Sequence, residues 1–104
     1  MTLGSIRLLN AESDFEVRSS QRDLVAFIQE AVRLAQAPFG NSGEQFQVMV
    51  QFTCRPDGHE VGLAYQGDAP QERLQQYLDA VVSAKRLPVS HGELSFQVEI
   101  SVDP

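Results

Sequence analysis

The chain has little of several things that would otherwise decide its class. Its 104 residues include one cysteine, no tryptophan and no run of like charge. A single cysteine cannot form an intrachain disulfide, so the fold has to be held by a buried apolar core. No stretch reaches the roughly 18 to 20 apolar residues that a transmembrane helix needs. These absences exclude a disulfide scaffold and predict no membrane insertion.

Basic residues are also few, with 8 Lys and Arg against 14 Asp and Glu and a net charge of −6. Nucleic acid and anionic membranes reward clustered Lys and Arg, so we expect no nucleic acid partner. A protein or peptide partner fits the charge better, and a basic one fits it best. The first nine residues lack the cationic start and apolar stretch of a signal peptide. They predict a cytoplasmic protein, or a periplasmic one if the sequence belongs to a longer chain.

Regular alternation of apolar and polar residues is the strongest pattern present. It runs from Phe46 to Cys54 and is followed at once by Arg55-Pro56-Asp57-Gly58. Such alternation gives a strand one apolar and one polar face. The apolar face holds five residues, namely Phe46, Val48, Val50, Phe52 and Cys54. A half-buried strand over 45–55 that ends in a turn is therefore predicted.

Two further segments alternate in the same way. The segment Glu60–Gln66 follows the Pro-Asp-Gly turn, which predicts an antiparallel hairpin, and Gly62 indicates a bulge or a close approach. The segment Leu94–Val102 predicts the last strand. If that strand lies at the sheet edge, it can accept a partner strand, unless Glu99 and Asp103 guard it against such pairing.

Apolar residues at three- and four-residue spacing predict two helices. The first spans about 21–36, with Ser20 and Asp23 at capping spacing, and a loop over 37–44 follows that includes Asn41. The second spans about 70–85, with Asp68 and Gln71 at the same spacing. Lys85 and Arg86 are expected at its C-terminal end, where cations complement the helix dipole.

The N-terminal part is less regular. Ser5–Leu9 and Phe15–Arg18 are extended pieces that form either a hairpin or one strand with an irregular lead-in. The order is then β-α-β-β-α-β in a single α+β domain over 1–104. Two helices on one face of an antiparallel sheet give a two-layer sandwich, the split βαβ or ferredoxin-like arrangement.

Residues that could carry chemistry are few. Cys54 falls on an apolar face, where a thiol packs as a small hydrophobe. His59 and His91 fall in a turn and a loop without enough neighbouring ligands for a metal. No nucleophile elbow or phosphate loop has the required spacing. We therefore expect no enzyme activity, no catalytic residue, no cofactor and no metal.

Residues 44–102 resemble the C-terminal domains of TonB and TolA-like proteins. The likeness rests on a strand that ends in Asp57-Gly58, a second strand, a helix that ends in Lys85 and Pro88, and a final strand led by Gly92. Arg86-Leu87 replaces the aromatic residue usual near the end of that helix. The resemblance implies a non-enzymatic periplasmic module that binds an extended peptide at a sheet edge.

These patterns together predict a soluble protein-interaction domain that binds a partner through a sheet edge or through the polar open face. Two alternatives stay open: an acidic inhibitor, immunity protein or secretion chaperone that masks a basic partner, and a regulatory domain that binds a small ligand. Monomer and homodimer are equally compatible with the sequence. The candidate binding residues of the open face are Gln47, Met49, Gln51, Gln97, Glu99 and Ser101.

Overall fold

The structure is a computed structural model that describes residues 1–40 and 43–103. The described residues form, in chain order, β1 (Thr2–Leu8), α1 (Glu12–Arg18), α2 (Gln21–Phe39), β2 (Phe46–Arg55), β3 (Gly58–Gly67), α3 (Gln71–Ser83) and β4 (Leu94–Val102). The predicted strands over 45–55 and 94–102 and the hairpin between β2 and β3 are confirmed. Asn41 of the predicted loop lies outside the described residues.

The four strands form one sheet in the order β1-β4-β2-β3, and every neighbouring pair is antiparallel. The α+β class with an antiparallel sheet is therefore confirmed, but the ferredoxin-like order is not. The ferredoxin-like order places the first strand inside the sheet, whereas here β1 lies at an edge and β4 lies between β1 and β2. Burial explains the difference, because every second residue of β4 is buried, as in a central strand, whereas β1 is exposed almost throughout and lies at an edge.

The core lies between the sheet and the helices. Phe27 of α2 packs edge-on against Phe52 and Phe96, with ring centroids 5.0 Å and 5.8 Å apart. Tyr77 of α3 is fully buried, and its hydroxyl donates a 2.9 Å hydrogen bond to the carbonyl of Ala31 in α2. This bond satisfies a polar atom that burial would otherwise destabilise, and it joins the two long helices.

Phe15–Arg18 is helical, so the prediction of an extended piece there is wrong. The segment belongs to α1, whose first turn carries Glu12 and Asp14, the charge sign that a helix N-terminus favours. Phe15 is buried and packs edge-on against Phe96 at 6.2 Å. A single buried aromatic therefore anchors a helix too short to show a period in the sequence.

The ends of the long helices also differ from prediction. Ser20 accepts a hydrogen bond from the Asp23 amide as expected, but α2 continues through Pro38 to Phe39. The ring of Phe39 in this last turn packs on that of Tyr77, with centroids 5.2 Å apart. The second predicted helix begins after Pro70 without a side-chain cap, so the predicted capping role of Asp68 is wrong.

That helix, α3, ends at Ser83. Lys85 and Arg86 therefore lie beyond its last turn rather than within it. Gly62 forms neither a bulge nor a close approach, because the β2–β3 register is unbroken and no atom lies within 4 Å of the position a Cβ would take. His59 is the second residue of β3 and not a turn residue.

Candidate functional site: the open face of the sheet

The candidate site is the open face, meaning the side of the sheet that faces away from the helices. The register of β2 and β4 places the six predicted residues there in three cross-strand pairs. The pairs are Gln47 with Ser101, Met49 with Glu99, and Gln51 with Gln97. Residues predicted from two segments far apart in sequence thus form one contiguous surface.

Hydrogen bonds order the side chains of this surface. The Gln97 Nε2 amide donates to Gln51 Oε1 at 3.0 Å, and the Ser95 hydroxyl donates to Thr53 Oγ1 at 3.3 Å. An amide has two donor hydrogens and an acceptor oxygen, so each Gln of the pair keeps further bonding capacity. The centre of the open face therefore presents oriented donors and acceptors without a net charge on the amides.

A trough runs beside these pairs because β3 contributes small residues to the open face. Gly62 lies opposite Gln51 and Ala64 lies opposite Met49. The open depression above them has a volume of about 490 Å³, and a neighbouring one of about 300 Å³ continues it toward Gln66. We call this depression the trough; its lining on the open face is Met49, Gln51, Thr53, Glu60, Gly62, Ala64 and Gln97.

The trough contains residues that the sequence reasoning did not select. Glu60, Gly62, Ala64 and Gln66 all lie on the same face of β3. The signal that could have found them is the hairpin itself, because a turn of two residues fixes which residues of β3 share a face with Gln47, Met49 and Gln51.

Charged groups lie at one end and in the middle of the open face. Arg55 pairs with Glu60 and Glu93 at 3.0 Å each, and hydrogen bonds to these carboxylates raise the pKa of its guanidinium. Glu99 lies centrally and forms no ion pair with another described residue. Arg7 of β1 lies beside Gln97 on the same face, so the middle of the face carries charges of both signs, and the turn end is neutralised.

The condition under which the last strand could accept a partner strand, a position at the sheet edge, is not met. β4 pairs with β1 on one side and with β2 on the other, so its backbone has no free edge. Glu99 and Asp103 therefore do not guard an edge. The buried alternation of β4 explains its central position, because both neighbours are needed to cover its apolar residues.

The actual sheet edges are β1 and β3. On β3, the Asp68 amide donates to the Gln45 carbonyl at 3.3 Å, which makes 45 and 68 a hydrogen-bonded pair. Bonded and non-bonded pairs alternate in an antiparallel ladder. The N–H and C=O groups of Val61, Leu63 and Tyr65 therefore point outward, and β2 is the strand partner of β3 among the described residues.

The cysteine and the two histidines make local contacts instead. Burial raises the pKa of the Cys54 thiol to about 11, which disfavours the reactive thiolate. His59 Nε2 lies 3.0 Å from the Val82 carbonyl, and its Nδ1 is buried without a partner among the described residues. His91 Nδ1 contacts the Ser90 hydroxyl at 2.9 Å. The described residues hold no group of three or more His, Cys, Asp and Glu that could bind a metal.

Comparison with models of known protein families, with curated proteins and with solved structures found no match. The resemblance to TonB and TolA-like domains thus stays a prediction. Among residues 1–40 and 43–103, no helix is both long enough and apolar enough to cross a membrane.

Proposed function

We propose that this chain is a non-enzymatic protein-interaction domain that binds a segment of a partner protein on its open face, along the trough. The observation that carries the proposal is the convergence of the six predicted residues into three adjacent pairs beside the trough. An exposed sheet face that is concave and rich in oriented amides is suited to binding another polypeptide.

The residues of the trough supply complementary kinds of contact. Gly62 and Ala64 have almost no side chain, so a partner backbone can approach the sheet closely. Met49, which is 39% exposed, offers a flexible apolar surface that adapts to different side chains. Gln51 and Gln97 can donate to and accept from the backbone of an extended segment.

Charge favours a neutral or basic partner. Glu99 lies at the centre of the face without an ion-pair partner among the described residues, and the chain carries a net charge of −6. This supports the related proposal that the domain masks a basic partner, in which case binding weakens steeply with salt. The small-ligand alternative requires a closed apolar pocket, whereas the core cavity lined by Phe27, Phe52 and Val81 measures about 10 Å³ and the depression of about 630 Å³ between the long helices is open to solvent.

Site-specific photocrosslinking in the source cells tests the proposal. A photoreactive residue at Met49 should form a discrete adduct with one protein, because that side chain lies in the trough. The matched control is the same residue at Val25 of α2, which is 46% exposed on the opposite side of the molecule. Equal adducts at both positions, or none at Met49, would contradict the proposal.

The adduct also allows a quantitative test with the purified partner. Met49→Ala and Gln97→Ala should each weaken binding about fivefold or more, the loss typical of residues near the centre of an interface. Val25→Ala should leave the affinity unchanged. Binding that responds equally to all three variants would place the interface elsewhere.

A further inference from the structure

The outer edge of β3 has no strand partner among the described residues. The strand is paired without a register shift to β2 from Gly58 to Gly67. It contains no proline, and Glu60 is its one acidic residue. Its outward N–H and C=O groups at Val61, Leu63 and Tyr65 make no backbone hydrogen bond to another described residue. A long and regular edge with one acidic residue is a template for pairing with another strand.

Apolar side chains extend along the same side of the molecule. Tyr65 of β3 is 46% exposed, and Val82 of α3 is 51% exposed. The two are brought to one side because α3 runs along β3, with Gln71 bonded to the Tyr65 hydroxyl at 2.6 Å and the Val82 carbonyl beside His59. A strand added to β3 would therefore also cover apolar surface.

We propose that the occupant of this edge is a second copy of the chain, paired antiparallel through β3 about a two-fold axis at Leu63. Two four-stranded sheets would then form one continuous sheet. The pairing is an isologous contact, which closes on itself and gives a dimer rather than a filament. The inference does not depend on the proposed function.

The sequence of β3 is complementary to itself in this register. With Leu63 opposite Leu63, each Val61 lies opposite Tyr65 of the second copy, and each Gly62 lies opposite Ala64. Aromatic and β-branched residues are a favourable cross-strand pair. Each Glu60 lies opposite the uncharged Gln66, whereas an axis at Ala64 would place Glu60 opposite Asp68 and bring like charges together.

The outward N–H and C=O groups of β3 are also positioned to form hydrogen bonds in this register. Leu63 points its N–H and C=O groups outward, so two facing copies of Leu63 form a hydrogen-bonded pair. With the two flanking pairs of Val61 and Tyr65, the interface gains about six main-chain hydrogen bonds. On the open face, Gly62 meets Ala64 of the second copy, so the two troughs join across the axis.

Substituting Gln66 by residues of opposite charge tests the proposal, and analytical ultracentrifugation measures the result. The wild-type chain should show a concentration-dependent monomer–dimer equilibrium. Gln66→Glu creates two like-charged pairs with Glu60 across the axis, so it should weaken the dimer about five- to tenfold. Gln66→Lys creates two pairs of opposite charge, so the dimer affinity should stay the same or increase. Gln66 is exposed, so both variants should keep the wild-type melting temperature within a few degrees.

Each other result overturns the proposal. A wild-type chain that stays monomeric up to about 1 mM, well above the micromolar range of ordinary weak dimers, has no such contact, even if its edge binds an added peptide. A dimer that responds equally to the two Gln66 variants uses another surface or register. An isotope-filtered nuclear Overhauser cross-peak is expected between the Hα atoms of Gly62 and of Ala64 in the second copy, because non-hydrogen-bonded pairs bring these atoms close. A dimer without this cross-peak contradicts the register.

Discussion

The two edges of the sheet are built differently, although both expose apolar side chains. At β1, the register shifts between Leu3 and Ile6, and Arg7 places a charge on the open face. At β3, the register continues unbroken from Gly58 to Gly67. Irregular backbone and charge are the common means by which proteins keep an edge from pairing. The comparison indicates that β1 is protected against pairing with another strand, whereas β3 is available for such pairing.

Exposure of apolar surface does not make this distinction. Ile6 on β1 is 43% exposed and Tyr65 on β3 is 46% exposed, so the two edges are almost equal in this respect. What differs is whether consecutive N–H and C=O groups point outward at the regular spacing that a new strand requires. Backbone regularity is therefore the property that separates the two edges.

The largest effects are expected from proline substitutions in β3, which test which of its N–H groups point outward. Ala64→Pro removes an N–H that bonds to β2 and should lower the free energy of unfolding by about 3 kcal/mol or more. Tyr65→Pro removes an outward N–H and should cost only about 1 to 2 kcal/mol, through the lost ring contacts and the bond from Gln71. Urea denaturation of both variants measures the difference.

The same pair of variants checks the assignment of the outward groups. Tyr65→Pro should abolish self-association while the chain stays folded, because the lost donor is one the dimer uses. Equal destabilisation by the two prolines would contradict this assignment, and greater destabilisation by Tyr65→Pro would show that the inward and outward positions of β3 are reversed.

The next largest effect is expected from alkaline pH, which should lower the free energy of unfolding through a buried residue beside β3. Cys54 pairs with His59 across β2 and β3, and burial raises its thiol pKa from 9.0 to about 11. The folded state thus holds a proton that the unfolded chain releases, so this contribution is complete below about pH 9 and is lost as pH rises toward 11. The loss should reach about 2 to 3 kcal/mol.

Cys54→Ala provides the control for that prediction. Its free energy of unfolding should fall less between about pH 8 and pH 11 than that of the wild type, because the thiol no longer titrates. A residual fall is expected, since burial also raises the pKa of Tyr77. If the variant and the wild type lose stability in parallel over this range, the thiol is not the titrating group.

The sequence predicted those elements whose pattern is local. The alternation of 94–102 and the Pro-Asp-Gly turn lie within one segment, and both gave correct strands. The order of strands could not be predicted, because it depends on contacts such as Leu8 beside Phe96 that join residues far apart in the chain. The helix α1 was missed because its seven residues show only one buried position, Phe15.

The candidate site shows the same division. The six residues of the open face were found because each lies on the polar side of an alternating strand. The trough was not found, because a small residue such as Gly62 adds nothing to the polar pattern. Its contribution to the site depends on its position beside Gln51. Whether β4 lies at an edge was left open, because a strand pattern does not reveal how many neighbours the strand has.

Glycine substitutions at the two edges should give the smallest effect and the most direct comparison of their packing. A Cβ at Gly4 of β1 would lie 3.2 Å from the Glu99 backbone oxygen, whereas a Cβ at Gly62 of β3 meets nothing within 4 Å. Gly4→Ala should therefore lower stability by about 1 kcal/mol, while Gly62→Ala should be neutral or stabilise by about 0.5 kcal/mol, because alanine loses less backbone entropy than glycine in a strand.

Thermal denaturation of the two variants at one protein concentration measures this difference. Gly62→Ala also raises the floor of the trough, so it should weaken partner binding on the open face even though it does not destabilise the fold. Gly4→Ala should have the opposite profile, with lower stability and unchanged binding. If both variants are equally destabilised, then the β3 edge is as tightly packed as the β1 edge, and it cannot be the more open of the two.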